Sequence, residues 1–475
     1  MDFLFCSSFF LYFSLIILVG IYSYLKQNKS SDFFLGNRTL SFWVSAIATN
    51  ATDMSLWLFM AYPYLIYQVG VPGVWEGLGL MFGTFLNWHF IAPKLRTLTE
   101  SYNASTIIDF FSKRFNDKKG ILTITCTSMA LIFFTIYISA GIVAFGRLFS
   151  SIFDLEYSTC ITIGTAIVAL YTILGGFVAV SLNNFLKGIF ILLAIVIVPA
   201  VAFAKVGGFA GISLAAAREG RSLFLFEEFS FTALWTTALS GLLSWGISYP
   251  GQLHILVNFM GIKKVDEISQ AKYLSSAWQT IALASATLTG LIGIAYFKVG
   301  SINPELLFRT LTTDLFGSFW SGFILCAVLA AGIASIAIQI LFLATTLAHD
   351  IYKRFFNPNT SINNLLFISR STVILVSGIA WLLALHQQNT IHALVKHAWT
   401  GLGCSFGPLV IAALYGKKIT AFAATMGVLV GGVMVLASSK LGFSPTDPKL
   451  PFTVGSLIIF GISYISNISK PEKRN

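Results

Sequence analysis

Charge is what this chain of 475 residues has least of: Asp, Glu, Lys and Arg together make up 10% of it, against about 25% in soluble domains. That scarcity excludes an ordinary water-soluble enzyme. It also excludes disorder, which needs polar, charge-rich sequence. Cysteine is scarce as well. Cys6, Cys126, Cys160, Cys326 and Cys404 stand far apart in apolar stretches, so neither a disulfide framework nor a Cys/His metal site is indicated. There is no P-loop, no His-Glu-x-x-His and no Cys-x-x-Cys, which argues against an ATP-driven pump and a zinc intramembrane protease. The histidines (His89, His254, His349, His386, His392 and His397) are scattered near the ends of apolar segments. They read as interfacial or internally satisfied side chains rather than ligands.

What the chain has in abundance is apolar sequence: 56% hydrophobic residues, with 44 Phe and 10 Trp, and a mean hydropathy of +0.80. A membrane-spanning helix takes roughly 20 mostly apolar residues. That ruler marks thirteen segments, at about 3–25, 41–68, 74–93, 120–146, 157–178, 184–204, 231–260, 275–297, 317–346, 365–385, 391–415, 419–439 and 451–469. None alternates in polarity over about ten residues as the strands of a membrane barrel do. The expectation is an all-α polytopic membrane protein, one transmembrane domain over 1–475, with no soluble domain. The start, Met1-Asp2-Phe3, has no basic run and no small-residue cleavage site. It reads as a retained first span rather than a removable signal peptide.

The net charge of +11 invites a nucleic-acid reading, which the placement of the charges answers. With thirteen spans, 20 of the 30 lysines and arginines fall in loops on one side and 9 on the other. The basic side is cytoplasmic by the positive-inside rule, so the N-terminus is expected outside and the C-terminus inside. Lys187 alone falls inside a span in this sorting.

An ionisable group in mid-membrane is costly and therefore a functional candidate. Asp53 is the clearest, in Asn50-Ala-Thr-Asp-Met-Ser-Leu-Trp57, a polar interruption of the second span. Such a run suits an unwound helix with free carbonyls for a cation; alternatively, Asp53 only satisfies backbone donors freed by the break. A second interruption, Ser244-Trp-Gly-Ile-Ser-Tyr-Pro-Gly-Gln252, lies in span seven. Gly246 and Gly251 weaken the helix there, and Pro250 removes a backbone donor. The two interruptions are five spans apart, the pattern of an inverted-repeat transporter. Span nine carries Leu329-Ala-Ala-Gly-Ile-Ala-Ser-Ile-Ala337. These small residues serve either close helix packing or the presentation of the Ala331 carbonyl and Ser335 hydroxyl to an ion.

Several stretches resemble the solute:sodium symporter family, most closely its sodium/proline symporters. They include Phe34-Leu-Gly-Asn-Arg-Thr-Leu40, Ala51-Thr-Asp-Met-Ser-Leu-Trp57, Ala92-Pro-Lys-Leu-Arg96, Phe134-Thr-Ile-Tyr137, Gly251-Gln252, His254-Ile-Leu256, Asp350-Ile-Tyr-Lys353 and Phe406-Gly-Pro408. The resemblance runs through nearly the whole chain. It implies a LeuT-type 5+5 inverted-repeat core, spans two to six (about 41–204) and seven to eleven (about 231–415), with peripheral helices at about 3–25, 419–439 and 451–469. It further implies a sodium ion held by the carbonyls of Ala51, Met54 and Ala331 and by side-chain oxygens at 334 and 335. Substrate would lie among Trp57, Tyr137, Trp245 and Tyr249, with Leu253 nearby, while Arg38 would serve a cytoplasmic gate. Asp53 and Ser55 belong to the same motif and are assigned to coupling.

Four positions depart from the family pattern. Ala334 lacks the usual hydroxyl, leaving Ser335 alone. Asn184 stands where proline symporters carry an aspartate, with Lys187 one turn onward; Leu56 replaces a glycine and Leu253 a proline. Two readings of Lys187 stand: its long side chain snorkels to the headgroups, or its ammonium takes part of the cation's place and couples transport to protons.

The expected function is sodium-coupled uptake of a small amino acid, proline first, by alternating access in the cell (inner) membrane. The partners are the solute and the bilayer, with no nucleic acid, and the carrier is expected to be a monomer. The alternatives are a proton-coupled or sodium-independent carrier of another small amino acid or monocarboxylate, or a non-transporting sensor on the same scaffold.

Overall fold

The protein is described by a computed structural model, covering residues 3–11, 14, 38–174, 177–226, 230–298 and 300–468. Most of the first expected span lies outside these residues, as do Phe34–Asn37 of the resemblance and the basic C-terminal residues. Among the described residues the chain is all-helical, with one isolated bridge between Leu40 and Ile262.

The second expected span is two helices. The first, α1, is Phe42–Asp53; a single 3-10 turn at Leu56–Leu58 leads into α2, Ala61–Val69. Next come α3, Val74–Leu86, and α4, Ile121–Phe153. They are followed by α5, Tyr157–Leu174, and α6, Phe177–Lys205. Span seven is broken in the same manner, into α7, Ser240–Gly246, and α8, Leu253–Met260. After them come α9, Ile268–Tyr296; α10, Ser318–Thr345; α11, Ile362–Leu385; α12, Ile391–Tyr415; α13, Ala421–Leu436; and α14, Lys449–Ile468, with shorter helices in the connections.

Seven helices among the described residues are long and apolar enough to cross a membrane. Several other expected spans fall short of that length because they are interrupted or brief: α1 and α2 together, α7 and α8 together, α5 and α13. A buried break is tolerable only where neighbouring groups satisfy the backbone, and the surrounding helices supply those neighbours.

Packing follows the small residues. α3 and α7 lie backbone to backbone: a Cβ at Gly83 would come within 2.8 Å of Gly246 Cα, and one at Gly79 within 2.4 Å of the Leu242 carbonyl. α1 lies against α6 and α9. At their contact a Cβ on Gly188 would meet Ile47 Cγ2 at 2.5 Å, while the Trp278 indole donates to the Gly188 carbonyl at 3.2 Å. α10 is buried from Ile324 to Ala344. Small residues replace the apolar driving force that lipid cannot supply between helices. The outcome is a pair of broken helices held in the middle of the molecule.

Candidate functional site

The two breaks share one geometry. Met54, closing α1, has φ −83° and ψ 76°; Gln252, opening α8, has φ −81° and ψ 78°. Both values lie near the inverse γ-turn, and at the first break the Ser55 N–H donates across two residues to the Asp53 carbonyl at 3.0 Å. The last carbonyls of a helix have no partner within it, so the end of α1 offers free oxygens. One of them, Ala51 O, accepts the Ser335 hydroxyl from α10 at 3.3 Å. Thus two groups that the family resemblance assigned to one sodium ion lie together. Met54, Ala331 and Ala334 are buried around them, and Ala334 adds no oxygen.

Asp53 is fully buried. Its Oδ2 accepts the Tyr249 hydroxyl at 3.3 Å, and its Oδ1 has no hydrogen-bond partner among the described residues. Its carbonyl accepts the Trp57 indole N–H at 3.1 Å, and the Ser55 hydroxyl accepts the Trp57 backbone N–H at 3.5 Å. Asp53 therefore does more than quiet a broken backbone: its carboxylate faces Tyr249 across the gap between the two broken helices.

Aromatic rings close the space above. Trp57 stacks on Trp245 with centroids 5.1 Å apart and planes at 27°. Trp245 in turn lies 5.1 Å from Trp399, whose indole donates to the Trp245 carbonyl at 3.2 Å. A cavity of ≈ 10 Å³ remains, lined among others by Ser55, Trp57, Tyr137, Ser335 and Gln339. That is room for about one water molecule, so the site is shut. Leu56 contributes to the closure, its side chain filling the space over Gly332, and Leu253 is buried beside the second break.

Polar contacts tie the helices together at both ends of the bundle. At the basic end, the Leu40 N–H donates to Gly261 O at 3.1 Å and the Lys263 N–H to Leu40 O at 2.8 Å, tying the far ends of α1 and α8 together. Arg38 donates to Thr99 Oγ1 at 3.1 Å and to Met260 O at 3.4 Å, and Arg96 Nε donates to Ile262 O at 2.7 Å. Burial, and then the neighbouring Arg96 charge, lower the Arg38 guanidinium from its ordinary basicity. At the opposite end Arg147 pairs with Glu305 at 2.5 Å, and Glu305 Oε1 accepts the Ile391 N–H that starts α12 at 2.6 Å.

Three expectations are corrected here. Lys187 does not snorkel: its side chain is 2% exposed, enclosed by protein, with Nζ 4.6 Å from the Tyr171 ring centroid and no carboxylate ion-paired to it among the described residues. Nor is His254 satisfied or interfacial. It is buried between Phe134 and Tyr137, with neither ring nitrogen hydrogen-bonded among the described residues. Lys396, sorted with the loops, lies on α12. Asn184 donates to Thr52 Oγ1 at 3.2 Å and so faces α1 one residue from Ala51. Trp399 and Gln339 were missed as site residues. Their traces were an aromatic beside Gly401-Leu-Gly403 and a polar side chain in a strongly apolar span.

This arrangement, two helices interrupted face to face around a closed site in an all-helical bundle, defines a membrane carrier rather than an enzyme. The sodium:solute symporter family model matches residues 33–431, and the chain belongs to that family. It is 38% identical to the high-affinity proline transporter PutP of Bacillus subtilis over 95% of this chain and 96% of that one. It is 34% identical to the sodium/proline symporter of Haemophilus influenzae, covering 98% and 95% of the two chains. In fold it matches a Na+-coupled sialic acid symporter in a substrate-bound outward-open state, with a TM-score of 0.82 at 16% identity over 99% and 98% of the chains.

Proposed function

We propose that this protein takes up proline together with sodium by alternating access, through thirteen spans arranged as a 5+5 inverted repeat with a cytoplasmic C-terminus. One observation carries the reading: at the paired breaks, the Ala51 carbonyl and Ser335 hydroxyl converge within 3.3 Å, beneath an aromatic cage of Trp57, Tyr137, Trp245 and Tyr249. Sodium takes oxygen ligands, and broken-helix N–H groups hold a carboxylate, so ion and amino acid share one structural element. The relatives named for proline and for sodium/proline support the same choice of solute and ion. Coupling then requires only that ion and solute favour the same state. Arg38 and Arg96 would hold the inner mouth shut until both sites are filled. The test is uptake of labelled proline by reconstituted protein, with choline replacing sodium at constant ionic strength; at least tenfold stimulation by sodium is expected.

A second reading of the ion rests on Lys187. An ammonium enclosed on α6, with Asn184 rather than a carboxylate one turn away, favours a fixed cation that takes part of sodium's place and exchanges a proton with solvent. On that reading uptake is driven by a pH gradient and gains sodium dependence in Lys187→Gln. Tenfold sodium stimulation of the unaltered protein, unchanged by Lys187→Gln, discards it.

A further inference from the structure

Glu76 opens α3, and three donors from two other helices converge on its carboxylate. Lys396 Nζ donates to Oε1 at 2.5 Å, His392 Nε2 lies 2.8 Å from Oε2, and the Trp245 indole N–H donates to Oε2 at 2.9 Å. His392 and Lys396 are four residues apart on α12 and so present one face. Trp245 arrives from α7. Its ring stacks on Trp57, which lines the cavity, while its N–H is held by Glu76.

We propose that Glu76 is a positioning residue for transport. It holds Trp245 against Trp57, and through Lys396 and His392 it latches α12 against α3 and α7 at the outer mouth. Hydrogen bonds between ionised groups are the strong ones, and the Glu76 and Lys396 side chains are 14% and 15% exposed, so water screens them little. α12 cannot swing from the mouth without giving up both Glu76 contacts. Nor can Trp245 leave Trp57 without giving up its acceptor. The second anchor, Glu305 on the first N–H of α12, fixes the helix start, which leaves the Glu76 cluster to govern the wall facing the cavity. The Trp57–Trp245 stack and the α12 wall, which lines the cavity at Ile391 and Val395, are thus released together. The latch is independent of which solute and ion are carried.

The test uses Ala144, 1% exposed and lining the cavity. In a Cys6→Ser, Ala144→Cys protein in cells, a charged, membrane-impermeant thiosulfonate added outside reports opening of the outer mouth, with no substrate present. Slow labelling is expected in this parent, and labelling at least tenfold faster in Glu76→Ala and in Lys396→Met. Glu76→Gln still offers the indole an acceptor but leaves Lys396 without a counter-charge, and it too should label faster than the parent. Folded Glu76→Gln or Lys396→Met protein labelling at the parental rate overturns the latch; these two milder variants decide the matter even if Glu76→Ala fails to fold.

Discussion

Ser335 supplies the only side-chain oxygen at positions 334 and 335, so its removal is a sharp test of the ion site. In the closed state its hydroxyl donates to Ala51 O at 3.3 Å, longer than the 2.5–3.0 Å usual for O–H···O bonds. Such a bond contributes at the low end of the neutral range, ~0.5 kcal/mol. Ser335→Ala should therefore barely move the thermal midpoint. Its effect on sodium should be larger, because the ion loses a charge-assisted contact of about 1.5–3 kcal/mol, roughly tenfold to hundredfold in affinity. The reciprocal variant, Ala334→Ser, adds one oxygen at a fully buried position. It costs about 1 kcal/mol of packing but gives the ion a second hydroxyl, and should lower the sodium concentration for half-maximal uptake. Proline uptake into proteoliposomes across a sodium series at constant ionic strength measures both effects. A Ser335→Ala protein with half-saturation within twofold of the parent would falsify the assignment of this hydroxyl to sodium.

Two further outcomes follow from the packing. Trp245→Ala removes the ring stacked on Trp57 and packed against Trp399, and equilibrium binding of labelled proline to the purified protein should weaken at least tenfold; binding as tight as the parent's means the aromatic cage is not the solute site. Gly188→Val drives a side chain into Ile47 Cγ2 at the α1–α6 contact, costing about 1–3 kcal/mol, so the thermal unfolding midpoint in detergent should drop, with Gly188→Ala intermediate.

Much of the site was legible in the sequence because a membrane makes exceptions conspicuous. Asp53 stood out as an acid inside an apolar span, and Gly246, Pro250 and Gly251 as helix breakers in another. Their spacing of five spans pointed to paired breaks, and those breaks have nearly the same dihedral angles at Met54 and Gln252. Lys187 was equally visible as a charge within a span, but the direction of its side chain was not. Nothing in the order of residues separates a lysine that reaches the headgroups from one turned toward Tyr171. The Glu76 cluster was hidden for a different reason: Glu76 and Lys396 are 320 residues apart, each near a span edge, where a charge gives no sign of its partner.

Composition and hydropathy alone determined that the chain is helical, crosses a membrane many times, and is interrupted twice where a charge or breaker makes a continuous apolar helix too costly. Those are properties of single segments against lipid. The tertiary structure decided what depends on two segments at once: that Ser335 meets Ala51, that Trp57 lines the cavity and stacks on Trp245, that Lys187 is enclosed, and that one carboxylate bonds to side chains of two other helices. Side-chain direction and helix approach depend on packing against neighbours distant in sequence, and hydropathy along a single span carries no record of them.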